Sequence, residues 1–511
     1  MHLNVRPYNN HQPLLLPPAV QDYLPEDHPS RRLDEVVEHL DLSDLYRKIP
    51  EVGNPSYHPA MLVKILFYGY MAGTRSSRKI QRKLVADLPF IFLSGMQTPD
   101  FRTISDFRKN NCRELAGIFA QIVQVCHHLG MTDLGVIALD SKVFKANAST
   151  ARSLTDEQLL KEQQAIERQI AGHLAQAINI DEEEDRKYGH DKRGDEIPEE
   201  ISTREKRLAK LNAVAADLKE ARRRLKEQGT KKINLTDRDA RIQKDKERLY
   251  PGYRGQIAVD AKEQVIIAQD VTVEQNDTHQ LVPMVDKISG AVSDLQGDVV
   301  AQATKLLADS SYSSLPNAAF LQKRPEIDPY IPDQEHQAHQ RRSSSPEKTP
   351  FLKERFVFKS KTNSYLCPAG KELTLVGRIT STSGAPGAIY RCRECVACSH
   401  WGVCTTSKHG RIIKVNDHDR LVAEMRKKLT SEPGRKIYSR RKCTVEPVCG
   451  NLAHNLGFRE FLLRGIIKVR GEFSLMCIAH NLVKITGYAR RSGLLLAEAL
   501  SRWKAIPVPV R

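Results

Sequence analysis

Three acidic residues in this chain stand where chemistry could use them. Asp140 closes the apolar run Val136-Ile-Ala-Leu, and Asp309 closes Leu306-Leu-Ala before Ser310-Ser-Tyr turns the chain away. Glu446 falls in a candidate helix whose apolar face is Val445, Val448, Cys449, Leu452 and Leu456. Pro447 is tolerable there only if that helix has just begun. A single acid at a strand end is ordinarily a turn or a cap. Three acids converging from rigid elements can instead hold two Mg²⁺ ions, which take oxygen ligands and keep several waters. Such a pair activates an attacking oxygen and stabilises a departing one in an in-line displacement at phosphorus. The acids need not be near one another in sequence, and here whole inserted domains fit between them.

A second constellation is made of cysteines: Cys367, then Cys392, Cys395, Cys398 and Cys404 in CRECVACSHWGVC. Repeated C-x2-C pairs have the ligand spacing of a tetrahedral Zn²⁺ site. Five thiols exceed the usual four, so one is over, and His400 is a further candidate ligand. The other reading is five reduced thiols in a small β-rich module. Cys112, Cys126 and Cys477 lie among apolar helix residues and read as packing. Ten cysteines in 511 residues are few for a disulfide scaffold, and their clustering suits a reducing compartment.

The charge balance bears on the partner. Lys plus Arg total 79 against 62 Asp plus Glu, a formal net charge of +17. Such an excess favours a polyanion, although merely soluble proteins can be as basic. Arg440, Arg441, Lys442, Arg464, Lys468, Arg470, Lys484, Arg490 and Arg491 crowd the C-terminal end. There the helical stretch FSLMCIAHNLVKITGYARR alternates an apolar face with basic residues, which either meet phosphates or face solvent. His480 and Asn481 are polar positions on it with no evident task. No apolar run reaches the ~18 residues of a membrane span, and the N-terminal LLLPP is too short and proline-bound for a signal peptide.

The elements that must position these groups can be read in outline. The first ~130 residues read as helical. After Pro59, Leu62, Ile65, Leu66 and Tyr70 recur at helical spacing, Arg75, Arg78, Lys79, Arg82 and Lys83 follow, and Thr103 with Asp106 reads as an N-cap. This is either a DNA-binding module or a packing domain with a basic face. Within residues 134–147 the chain changes character, and Val136–Leu139 read as a short buried strand ending at Asp140. Gln256–Val259 and Val265–Val273 read as two strands around an Asp260-Ala-Lys-Glu turn. Between them, 150–245 is a charged insertion. Thr155 and Gln158 fit a capping box, and Leu159, Ile166, Ile170, Leu174 and Ala177 follow at helical spacing before Asp181–Asp185 interrupts. Leu208, Leu211, Ala215, Leu218 and Leu225, with Arg222 breaking the series, complete a coiled antiparallel pair. Residues 335–364 read as a polar linker.

Several long stretches, in order, resemble the DDE transposases of bacterial insertion sequences, in the branch with a Tyr–Arg–Glu–Lys signature. PLLLPPAVQDYLPEDHP, YHPAMLVKILFYGYMAGTRSSRKIQ and PDFRTISDFRK are similar to that family's N-terminal domain. LDSKVFKANAS resembles its first-Asp motif, GQIAVD with DVTVEQNDTHQLVPM its following strands, LADSSYSS its second-Asp motif, and YSRRKCTVEPVCGNLAHNLGFREFLLRG its Glu region. The resemblance implies an α/β fold: a five-stranded RNase H-like catalytic core with a helical N-terminal domain, a coiled helical insertion and a Cys-rich insertion. It divides the chain into an N-terminal DNA-binding domain (1–130), core segments at 131–149 and 246–334, the helical insertion (150–245), linker and Cys-rich insertion (335–425), and a C-terminal core part (426–511). It implies that Asp140, Asp309 and Glu446 are a metal-binding triad for two Mg²⁺ or Mn²⁺ ions. Tyr438 and Arg441 match the signature's Tyr and Arg and, with Arg440 and Lys442, are expected at the DNA end. The signature Lys position is Ala453, the Gly usual after the first Asp is Ser141, and one extra residue separates Arg441 from Glu446. The implied activity is cleavage of element ends at their terminal inverted repeats and joining to target double-stranded DNA, by a homodimer in the bacterial cytoplasm at the nucleoid. The rival reading is a decayed transposase or DNA-binding protein that binds ends without cutting. A nuclease that cleaves without joining would share the acids.

Overall fold

Helical periodicity in the first ~130 residues becomes, among the described residues, seven α-helices: α1 (Pro29–Glu38), α2 (Ser43–Tyr46), α3 (Pro59–Met71), α4 (Ser77–Ala86), α5 (Leu88–Leu93), α6 (Phe101–Asn110) and α7 (Cys112–His128). The computed structural model describes residues 19–52, 55–188, 199–245, 247–296, 303–333, 351, 353–380, 386–501 and 503. The LLLPP stretch and residues 335–350 and 352 of the expected linker lie outside these. Leu62, Ile65, Leu66 and Tyr70 are all buried on α3, as their spacing predicts. The cap of α6 is Asp100, not Thr103: its carboxylate accepts the amides of Arg102 and Thr103, so the helix begins two residues before the expected cap.

Next comes β1 (Val136–Lys145), followed by the inserted β2 (Ser153–Leu154), α8 (Asp156–Tyr188), α9 (Glu199–Glu227) and β3 (Ile233–Asn234). Thr155 and Gln158 make the reciprocal capping box at the start of α8. α8 and α9 pack on one another through Leu159, Leu218, Ala221 and Leu225. Arg222, the break in the apolar series, reaches across the pair to Asp156 at 2.7 Å. The acidic run does not interrupt the helix, since α8 continues through 181–185.

Among the described residues, six strands form the central sheet. They are β1, β4 (Arg241–Asp245), β5 (Arg248–Asp260), β6 (Ile266–Thr272), and, beyond α10 (Leu281–Gln296), β7 (Thr304–Leu307), α11 (Leu315–Gln322) and β8 (Ile327–Tyr330). β1 pairs antiparallel with β5 and β5 with β6, while β7 and β8 lie parallel to β1 on its other side. The order β6-β5-β1-β7-β8 is that of an RNase H-like sheet, with β4 extending the β6 edge along the first half of β5. The sheet thus has one strand more than the five expected. β1 also runs past Asp140 to Lys145, because its second half still pairs with Arg254 to Gly252 of β5. Asp140 is a mid-strand residue.

Part of the expected linker is sheet as well: β9 (Val357–Lys359) and β10 (Ser364–Leu366) join β11 (Glu372–Thr380), β12 (Pro386–Arg391) and β13 (Ile412–Asn416) in a second, antiparallel sheet. The last described elements are α12 (Asp417–Thr430), α13 (Glu432–Gly450), α14 (Ile466–Ser492) and α15 (Leu496–Leu500). α14 is buried over most of its length and packs against β6 on one side and α3 and α7 on the other. Gly471 allows the approach to α7, where a Cβ would lie 2.4 Å from that of Cys112. N-terminal helices and central sheet therefore share one continuous core. A buried ionic network joins them too. Glu472 of α14 accepts the Leu463 amide at 2.8 Å and the Tyr70 hydroxyl at 3.3 Å, with Arg75 3.7 Å away. Arg75, expected on a basic outer face, is internal; Arg78, Lys79 and Arg82 are exposed.

Candidate active site

α13, the helix that carries Glu446, begins at Glu432, so Pro447 sits near its end and not in its first turn. A proline there removes the amide that would bond the carbonyl four residues back. That carbonyl belongs to Cys443, and the Gln264 side-chain amide donates to it at 2.8 Å from the β5–β6 turn. The helix tolerates the proline because tertiary structure replaces the lost bond. It then runs into a π-helical turn, Asn451–Asn455, in which Ala453 is buried. His480 and Asn481, the two polar residues without a task, anchor the neighbouring chain: His480 reaches this turn and Asn481 holds the start of β6. Asn481 exchanges both its amide groups with the backbone of Ile266 (2.9 and 2.8 Å), and His480 bridges the Gln264 carbonyl and Asn451, each at 2.9 Å. With Gln264 accepting at Nε2 and Asn451 donating to Nδ1, the ring is neutral. Burial holds its pKa down at about 4.

From this anchored helix Arg441 reaches β1, where its Nη1 lies 3.3 Å from Oδ2 of Asp140. The same guanidinium stands in the field of Asp309 and Glu446, and Tyr438 one turn earlier donates its hydroxyl to the Ala308 carbonyl at 3.4 Å. Asp140 on β1 thus contacts Arg441 directly, while Asp309, just after β7, and Glu446 on α13 act on the same arginine through their charge. Asp140 is mostly buried and Glu446 is exposed at the rim. Burial first, then the charges of Asp309 and Asp277, push the Asp140 carboxyl up to about 6, against the Ser141 amide and Arg441. Arg440 and Lys442 are exposed on α13.

Sequence reasoning missed the group behind the acids. Asp277, buried just after β6, accepts from Gln256 Nε2 at 2.6 Å, Ser141 Oγ at 2.8 Å and Arg254 Nη1 at 3.0 Å. The Ser311 hydroxyl lies within hydrogen-bond reach of both Asp309 and Asp277, 3.2 Å from the latter. One carboxylate therefore braces the residue beside Asp140 and the turn that carries Asp309. The only local sign of it is an acid following an apolar strand in EQNDTHQ.

The three acids offer oxygen donors alone, the kind of set that hard divalent cations such as Mg²⁺ prefer. They are not drawn into a tight cage: among the described residues no group of three or more His, Cys, Asp or Glu is arranged to hold a metal. The same holds for the cysteine module. Cys367, Cys392, Cys395, Cys398, Cys404 and His400 all line one small pocket with Trp401 and Arg411. There the Lys371 amide donates to the Cys367 sulfur at 3.3 Å and the Arg411 amide to that of Cys395 at 3.2 Å. The thiols share a pocket without forming a metal-holding set, so the zinc expectation gains no support. Cys126 and Cys477 are fully buried, as packing predicts.

Two family models match the chain. One, described as a transposase DDE domain, covers residues 366–486 and so includes Glu446 and the cysteine module. The other, described as a transposase domain (DUF772), covers residues 18–110. No curated protein and no solved structure matches. Among the described residues no helix is long and apolar enough to cross a membrane.

Proposed function

Since the chain belongs to the DDE-type transposases of insertion sequences, we propose that it cuts the ends of its element and joins them to target DNA with Asp140, Asp309 and Glu446 as the catalytic acids. Two divalent ions held there, Mg²⁺ or Mn²⁺, would supply the activation of an attacking oxygen and the stabilisation of a departing one. The observation that carries this reading is Arg441, bonded to Asp140 and within the field of both Asp309 and Glu446.

The chain's own residues have distinct parts. Arg441 balances the acids while no cation is bound, and it is the group a DNA phosphate would next engage. Tyr438 ties α13 to the segment carrying Asp309. Arg440 and Lys442, exposed beside the cleft, meet the phosphates flanking the cut. Asp277 holds the β1 and β7 acids in register through Ser141 and Ser311. Double-stranded DNA is the partner, and two ends held together call for a homodimer. The cytoplasm, at the nucleoid, is where it would work.

Purified protein incubated with plasmid DNA and Mg²⁺ tests this. Cleaved and joined products are expected. Cleavage without joining would make it a nuclease, and binding without cleavage a decayed transposase; either result overturns the proposal.

A further inference from the structure

We propose that Lys142 is a phosphate-binding residue of the acid cleft, taking a backbone phosphate of the DNA strand that lies along β1 beside Asp140. The inference rests on the DNA-processing reading above and adds a contact that reading does not contain.

Side chains alternate along a strand, so Asp140, Lys142 and Phe144 share one face of β1. That face meets α13 and α14: Asp140 receives Arg441, and Phe144 packs between Phe461 and Phe473. Lys142 lies between them, opposite Gly255 of β5, which offers no side chain to pair with it. Its charge reaches Cys449, one turn beyond Glu446 on α13, together with the charges of Asp140, Glu446 and Arg441. The lysine thus lies inside the cleft and not on its outer wall.

The arginines around this part of β1 are already paired, while Arg440 and Lys442 stand exposed on α13. Arg441 is on Asp140, Arg254 on Asp277, and Arg459 donates to the Ala453 carbonyl. Lys142 is half-buried and, among the described residues, makes no hydrogen bond or ion pair. A partly desolvated ammonium without an acceptor is unfavourable by itself. In a cleft lined by carboxylates, which repel a polyanion, its ammonium has donors to spare. Three rotatable N–H bonds on a flexible stem suit a single phosphate oxygen.

The test is salt-dependent DNA binding, measured without divalent metal so that cleavage does not enter. The full-length protein is titrated with a blunt duplex of about 30 base pairs between about 50 and 200 mM KCl, the range over which counterion release is read. Lys142→Ala is expected to weaken binding several-fold and to lower the slope of log K against log salt by about one. Lys142→Arg should restore the slope. If Lys142→Ala does not fold, as read by circular dichroism, Lys142→Gln is measured for the same change. An unchanged slope in the folded Ala or Gln variant, with the wild type binding normally, overturns the inference alone: the lysine then only balances the acids. If the wild type shows no salt-dependent binding, the DNA-processing reading fails first and this inference with it.

Discussion

Asp277 accepts the hydroxyl of Ser141, the residue next to Asp140, at 2.8 Å. Ser311, two residues after Asp309, leans on the same carboxylate, so the first two acids are positioned from one buried point. Asp277→Ala would strip Arg254 of its charge partner in a mostly buried setting and leave Gln256 and Ser141 without an acceptor. A loss of about 3–5 kcal/mol follows for breaking such a pair from one side, seen as a lowered denaturant midpoint. A variant as stable as the wild type would remove Asp277 from its bracing role.

Asp140→Asn tests the acid itself. Cleavage should fall on the order of a thousandfold, the scale for removing a group aimed at transition-state charge, while duplex binding stays near wild type. Loss of binding and cleavage together would assign Asp140 to folding.

Gln264 and Pro447 should be energetically coupled. Gln264→Ala leaves the Cys443 carbonyl unserved and is expected to cost about 1–2 kcal/mol. In a Pro447→Ala background the helix can supply its own amide, so the same change should cost about 1 kcal/mol less. Additive effects in a double-mutant cycle would mean that the side chain does not replace the proline's missing bond.

His480 predicts a pH dependence of stability. Its folded pKa, about 4, lies below the ordinary 6.5, so between these values the unfolded chain binds a proton that the folded chain excludes. Stability from the neutral ring is complete above pH 6.5 and is lost as the pH falls towards 4, by roughly 3 kcal/mol in all. Asp260 works in the opposite sense, since burial raises its carboxyl to about 6 and the fold gains as it protonates; that term is common to wild type and variant and drops out of their difference. His480→Gln should therefore lose less stability than the wild type on titration from pH 7 to 4. Parallel unfolding curves for the two proteins would exclude the histidine.

Local pattern made much of the fold legible. Runs such as Val136-Ile-Ala-Leu and Leu306-Leu-Ala announce buried strands because backbone and side chain agree there. Leu62, Ile65, Leu66 and Tyr70 announce α3 in the same way, and Thr155 with Gln158 announces α8. Errors arose where a distant group decides the outcome. Pro447 argued for a helix start, yet the helix was already fifteen residues old, sustained by a glutamine far back in the chain. The end of β1 was placed at Asp140, yet pairing with β5 carries the strand on.

Residue identity and order determined the three acids, the capping box of α8, the apolar faces of the helices and the cysteine cluster, because each is set by neighbours a few bonds or one helical turn away. Tertiary structure alone decided that Arg441 stands among the acids, that Asp277 joins Ser141 to Ser311, that Arg75 turns inward to Glu472, and that five thiols meet in one pocket without making a metal-holding set. These depend on which surfaces meet when the core closes. That is settled by burial summed over the whole chain, and no local window records the sum.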